Sequence, residues 1–203
     1  MDNKKKQEVL KAAEELIKTQ QKDEYSGHDY QHIKRVFKMA LNIASKTDEK
    51  VDLFILELVC LLHDVDDHKI FYSGKHITVK SFLESQEIDE AISSSIIDII
   101  SKLSFTSTKS GLYETTIEGK IAQDADRLDA IGAIGIARAF AYGGANKRLI
   151  VDGNLDSATR HHFDDKLFKL EELMNTKEGR KIAQTRMVFM KQFIKIFDEE
   201  TKI

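Results

Sequence analysis

The sequence predicts an all-α fold, and three observations carry that prediction. The 203-residue chain has no proline and only 10 glycines, so the two residues that most strongly interrupt helices are scarce. Its apolar residues recur at three- and four-residue steps, the spacing of one helical face. Strand-like alternation appears nowhere at length.

From Asp29 to Ala44 the residues Ile33, Val36, Phe37, Ala40, Leu41 and Ile43 fall on one stripe, which predicts an amphipathic helix. The segment Val51 to His63 is more uniformly apolar, with Leu53, Phe54, Leu56, Leu58, Val59, Leu61 and Leu62. That is the pattern of a helix contacted from several sides, so it is expected at the centre. Further helical patterns run from about Thr78 to Glu84, Asp89 to Leu103, Thr116 to Phe140, Ser157 to Met174 and Thr176 to Phe197. Gly132 and Gly135 each cost about 1 kcal/mol against Ala in a helix interior, so the Thr116 to Phe140 segment reads as two helices or as one closely packed helix. Asp126 is helical in both readings. Ser104 to Thr115 and Gly143 to Asp156 read as polar loops that border a pocket. No repeat, low-complexity block or proline-rich linker marks a boundary, so residues 1–203 are expected to form one domain.

Composition narrows the function classes. Lys+Arg 31 against Asp+Glu 34 gives a formal charge of -3, which argues against a protein that must neutralise many phosphates of a nucleic acid. No nucleic-acid partner is expected. Hydrophobic residues make up 41% and charged residues 32%, enough apolar material for a core. Cys60, the one cysteine, sits among leucines and valine; this excludes a disulfide scaffold and a cysteine-ligated zinc site, and it reads as a buried, inert thiol. The basic start Met1 to Lys6, read as a solvated terminus, leads into the mixed stretch Gln7 to Gln21 rather than an apolar run, so no signal peptide is expected. The most apolar stretch, Val51 to Leu62, is interrupted by Asp52 and Glu57 and is too short to span a bilayer. A cytoplasmic protein without a membrane segment is the expectation.

The chemistry concentrates in three segments. The central apolar helix ends in the run His63-Asp64-Val65-Asp66-Asp67-His68-Lys69, which on its own reads equally well as an exposed turn. Upstream, Gly27-His28-Asp29-Tyr30-Gln31-His32-Ile33-Lys34-Arg35-Val36 opens the amphipathic helix. Downstream, Asp124-Ala125-Asp126-Arg127-Leu128-Asp129 places acidic residues on a semi-apolar helix. Imidazoles from His32 and His63 with carboxylates from Asp64 and Asp126 would make a mixed nitrogen and oxygen site for a divalent ion. Facing helices build such sites in their shared interior.

The order His32, then His63-Asp64, then Asp126, with these flanks, resembles the H…HD…D signature of the HD superfamily of metal-dependent phosphohydrolases. The likeness is to the small bacterial members, which include nucleoside triphosphate pyrophosphohydrolases. It covers a core of about 27–140, with C-terminal helices at about 157–198 as in the same group. The resemblance implies a helical HD-domain fold with the metal site between central helices, and His32, His63, Asp64 and Asp126 as ligands. Asp124 and Asp129 are rivals for the last position; Asp126-Arg127-Leu128 fits the family pattern best, Asp124 reads as structural, and Asp129 reads as an outer acceptor for a ligating histidine or as a surface carboxylate.

A bound cation can withdraw charge from a phosphoryl oxygen and acidify a water. In related hydrolases an acidic residue three positions after the HD aspartate acts as general acid/base, which implies Asp67 here, with His68 second. Lys69 is the first choice for phosphate contact, followed by Arg35. Arg127 reads equally as a structural cation, and His28 as a pocket-lining residue. Mn²⁺ or Mg²⁺ is favoured, with Fe²⁺, Co²⁺, Ni²⁺ or Zn²⁺ left open. His161-His162 reads as a polar helix start, and Gly143-Gly144 lacks the G-x-x-x-x-G-K pattern of a phosphate loop. The implied reaction is hydrolysis of a nucleoside triphosphate to monophosphate and pyrophosphate. The rivals are a phosphomonoesterase acting on nucleoside monophosphates or other small phosphate esters, and a non-catalytic nucleotide-binding sensor. A homodimer is left open.

Overall fold

The three-dimensional structure is a computed structural model in which residues 1–22, 25, 27–66, 78–151 and 158–202 are described. Among these residues there are ten α-helices and no strand, the all-α fold that the sequence predicts. The chain gathers into two compact units, residues 1–24 with 28–123 and residues 25–27 with 124–203.

The first unit opens with α1 (Asn3–Gln20), which the sequence reading misses. Asp2 caps it by accepting from Lys5 N at 2.8 Å, and Val9, Ala13 and Ile17 are buried. One apolar residue in four is enough to bury a helical face; of the basic start only Lys4 is exposed, while Lys5 and Lys6 are half-buried and Lys6 Nζ stands 5.2 Å over the Phe54 ring. Helix α2 (Tyr30–Ala44) is capped by Asp29 and buries Ile33, Val36, Ala40 and Ile43 along the predicted stripe. His32 is the polar member of that buried face. Helix α3 (Leu53–Leu62) starts two residues later than the apolar pattern suggests, because Asp52 turns its carboxylate onto Phe54 N and Ile55 N and so ends the extended entry.

The unit continues with α4 (Val79–Ser85), α5 (Glu90–Lys102) and α6 (Phe105–Lys109). The last is a single capped turn inside the stretch read as loop, with Ser104 accepting from Ser107 N at 2.9 Å. Helix α3 packs against α1, α2 and α5. Its buried residues Phe54, Leu56, Leu58, Val59, Cys60, Leu61 and Leu62 make it the central helix of this unit. Each large apolar side chain there contributes about 1.5–3 kcal/mol by leaving water, so the end of α3 is a firmly held platform.

Helix α7 (Ile117–Asp129) runs from the first unit into the second. The second unit adds α8 (Gly132–Ala145), α9 (His161–Asp165) and α10 (Lys177–Glu200). The Thr116 to Phe140 pattern therefore resolves into two helices. Gly132 has φ +77°, a left-handed conformation that side chains disfavour, and the chain breaks just before it. Helix α8 continues to Ala145, so Gly143 and Gly144 are helical rather than part of a loop.

The predicted helix Ser157 to Met174 is also corrected. Ser157 lies outside the described residues; after it come α9 and a 3₁₀ turn at Leu167–Lys169. Phe163, Leu167, Leu170 and Met174 are buried, so the helical spacing is real. It marks one buried side of a chain whose bonds tighten to the i to i+3 kind, as in Leu170 N to Leu167 O and Leu173 N to Leu170 O. Helix α10 begins after Thr176, as predicted, and packs against α8. Among the described residues no helix is long and apolar enough to cross a membrane.

Candidate metal centre

Within the first unit, four side chains with metal-binding chemistry converge. His28 and His32 come from the entry and first turn of α2, and His63 and Asp64 from the end of α3. The Asp29 cap, accepting from His32 N at 2.8 Å, fixes the α2 entry. It brings the His28 and His32 rings edge to face with centroids 5.5 Å apart. His63 is the C-cap of α3, and the turn closes through Val65 N to Leu62 O at 3.0 Å.

The His32 side chain is fully buried and that of Asp64 is only 10% exposed. Asp64 Oδ2 lies 3.2 Å from His28 Nδ1 and 3.5 Å from His32 Nε2; Oδ1 lies 3.5 Å from His63 Nε2. The Nε2 atoms of His32 and His63 face each other at 3.3 Å. His63 Nδ1 donates to the Cys60 carbonyl at 2.9 Å, so a neutral His63 presents its Nε2 lone pair to this cluster. An imidazole lone pair and a carboxylate converging in a buried space are the electron-rich donors that a divalent cation satisfies. The histidine N–H on a carbonyl is the outer bond that metal-ligating histidines make. His28, His32 and Asp64 have ligand atoms mutually within 4.8 Å. The donor set therefore fits a metal ion.

Burial is the largest single influence on the Asp64 carboxyl and raises its pKa. The histidines around it outweigh that, with His63 first, and hold it well below the usual carboxylate range. Asp64 is thus an anion ready for a cation.

The other predicted residues are placed as follows. Arg35 is half-buried on α2, one turn after His32. Asp67, His68 and Lys69 lie outside the described residues. Asp126 is half-buried on α7 within the second unit. Its rival Asp124 is structural, accepting from N and Nδ2 of Asn175 and from N and Oγ1 of Thr176 at 2.7–3.0 Å. Asp129 is buried and paired with Arg138 at 3.1 Å, so it is not a surface carboxylate. Arg127 is buried and donates to the Leu173 carbonyl. His161 and His162 stand at the start of α9 as expected, and Cys60 is buried and forms no disulfide. Burial, with Lys166 and Arg148 nearby, pushes His162 down to about 4.

Two features escape the sequence reading. Asp66 accepts from Val79 N at 3.2 Å, holding the start of α4; an acidic residue in a charged run carries no signal of that partner. The His28 contact to Asp64 is the other, and its only trace in the sequence is the four-residue step from His28 to His32.

The HD domain family model matches residues 29–131, a span that opens at the Asp29 cap and includes His32, His63, Asp64 and Asp126. The chain belongs to the HD-domain family. The uncharacterized protein YpgQ of Bacillus subtilis (strain 168) is 39% identical over 198 residues, covering 94% of each chain. The structure of Bacillus subtilis YpgQ in complex with ADP is similar with TM-score 0.77 and 35% identity, over 98% of this chain and 96% of that one. An HD-superfamily hydrolase from Bacillus thuringiensis is similar with TM-score 0.72 and 38% identity, over 96% and 97% of the two chains. Membership in the HD family and neighbours of this kind support the enzyme class read from the motif, a metal-dependent phosphohydrolase.

Proposed function

We propose that this HD protein hydrolyses nucleoside triphosphates to a monophosphate and pyrophosphate with the help of a divalent cation, Mn²⁺ or Mg²⁺ in first place, in the cytoplasm. The observation that carries the reading is the convergence of His28, His32, His63 and Asp64 in the first unit. The ADP held by the YpgQ structure, a relative covering nearly the whole chain, supports a nucleotide as substrate. The pyrophosphate-releasing reaction rests on the motif resemblance.

In this reading His32, His63, Asp64 and, by motif order, Asp126 hold the cation. When bound, it supplies charge neutralisation at phosphate and an acidified water. His63 keeps its Nε2 lone pair inward because its Nδ1–H is held by the Cys60 carbonyl. Asp64 is buried among three histidines and presents its carboxylate oxygens to the same space. Asp67 is assigned the general acid/base role, with His68 second; both follow these ligands closely in the sequence. Lys69 and Arg35 are assigned to the phosphates, where fixed cations meet the charge of the transferring group, and His28 to the wall of the same pocket.

Phosphorus NMR of the products tests the reading. Purified, metal-stripped protein is given Mn²⁺ and a panel of nucleoside mono- and triphosphates. Pyrophosphate with monophosphate is the expected result. Orthophosphate released from the monophosphates would replace it by a phosphomonoesterase, and tight nucleotide binding without product would replace it by a sensor.

A further inference from the structure

The strongest feature outside the assigned ligands is His28. It lies in the entry to α2, its side chain 31% exposed, with Nδ1 at 3.2 Å from Asp64 Oδ2. The sequence alone puts His28 in the wall of a substrate pocket. His28 also contacts the carboxylate that the proposed reading assigns to the cation. A carboxylate oxygen accepts and an imidazole N–H donates. His28 is therefore the donor in this bond.

We infer that His28 is a positioning residue, which through its Nδ1–H fixes the rotation of the Asp64 carboxylate and so sets the affinity for the divalent cation. The inference rests on the proposed metal centre and adds a member to it. The two oxygens of Asp64 have different neighbours: Oδ1 stands 3.5 Å from His63 Nε2, and Oδ2 is shared between His28 and His32. Rotation of the carboxyl group would exchange them. A hydrogen bond to one oxygen opposes that rotation and leaves the other directed to the space beside His63.

The local backbone supports a fixed donor. Asp29 caps α2 by binding His32 N, so the peptide joining His28 to the helix is held by the same bond that starts the first turn. The edge-to-face packing of His28 on His32, centroids 5.5 Å apart, restricts the ring further. His28 thus acts on Asp64 from a held backbone and against a buried neighbour. Removal of such an outer hydrogen bond typically lowers metal affinity about 10–100-fold.

The test uses the full-length chain, stripped of metal and titrated with Co²⁺. The visible absorption of bound Co²⁺ reports the number and kind of its ligands, and calorimetry gives its affinity. For His28→Ala the expected result is affinity lowered by about 10–100-fold, with the spectrum at saturation unchanged. His28→Asn, whose amide can donate from nearly the position of Nδ1, is expected to recover most of the loss. Unchanged affinity in both variants while the parent binds Co²⁺ would overturn the inference and leave the metal centre standing. A changed spectrum in saturated His28→Ala would overturn it in favour of His28 as a direct ligand. A parent chain that binds no Co²⁺ would overturn the metal centre and the inference together.

Discussion

His63 donates its Nδ1–H to the backbone carbonyl of Cys60, 2.9 Å away and one turn earlier in the chain. The last turn of a helix has carbonyls without an intrahelical partner, and the imidazole satisfies one of them. The same bond fixes the tautomer and turns Nε2 toward His32 and Asp64. The termination of α3 and the orientation of the His63 imidazole are therefore one event.

Replacing His63 by Ala removes a donor atom and the carbonyl's partner together. Mn²⁺ affinity should fall by at least about 100-fold, as expected when a ligand rather than an outer partner is lost. Asp64→Ala should abolish both metal binding and turnover while circular dichroism remains helical. Calorimetric titration checks both variants, and parent-like affinity in either would remove that residue from the centre.

Asp124 ties α7 to the start of α10 through four donors on Asn175 and Thr176. In Asp124→Ala those donors lose their shared acceptor inside the second unit. Four hydrogen bonds to one buried carboxylate are lost together, so urea unfolding should show a loss of about 2–4 kcal/mol. The metal affinity of the folded variant should stay close to that of the parent, because Asp124 has a structural role.

His162 is kept neutral by burial and by the Lys166 and Arg148 charges, with its pKa pushed down to about 4 from the ordinary 6.5. Between these values the unfolded chain binds a proton that the folded chain refuses. Stability contributed by the neutral ring is thus full above pH 6.5 and is lost as pH falls toward 4. His162→Gln cannot take up that proton. Plotted against pH, its chemical-unfolding midpoint should fall less steeply than the parent's between pH 6.5 and 4; parallel curves would contradict the assignment.

Gly132 holds φ +77° where α7 gives way to α8, and an added Cβ would sit 3.1 Å from Arg186 side-chain atoms. Gly132→Ala should therefore cost more than about 1 kcal/mol. Gly144, inside α8 with open space around it, provides the contrast. Gly144→Ala should be neutral or stabilising by up to about 1 kcal/mol. Paired thermal melts of the two variants separate the positions.

Local signals made much of the chain legible. Asp29, Thr78, Asp89 and Thr176 are helix caps, and each stands at the start of a predicted helical pattern. The apolar run at 51–63 was readable as a central helix because nearly every face of α3 is covered. Where the reading failed, spacing alone was ambiguous. Residues three and four apart share a side in an α-helix and also in the tighter turns after Phe163, so the segment at 157–174 looked like one helix. In α1 the apolar residues are sparse, although Val9, Ala13 and Ile17 keep the step of four.

By itself the sequence determined the helical class, the family and the order of its motif, because composition, periodicity and the succession His32, His63-Asp64, Asp126 are properties of the chain as written. Only the tertiary structure decided what each ionisable group faces. Asp124, Asp129 and Asp64 are all acidic residues beside apolar helix, yet one holds a helix start, one an arginine, and one sits among three histidines. The physical reason is that a carboxylate's role is set by the donors and cations within a few ångströms of its oxygens, and those come from residues far away in the chain. His28 shows it most directly, because its partner Asp64 is 36 positions on, a distance that no local pattern spans.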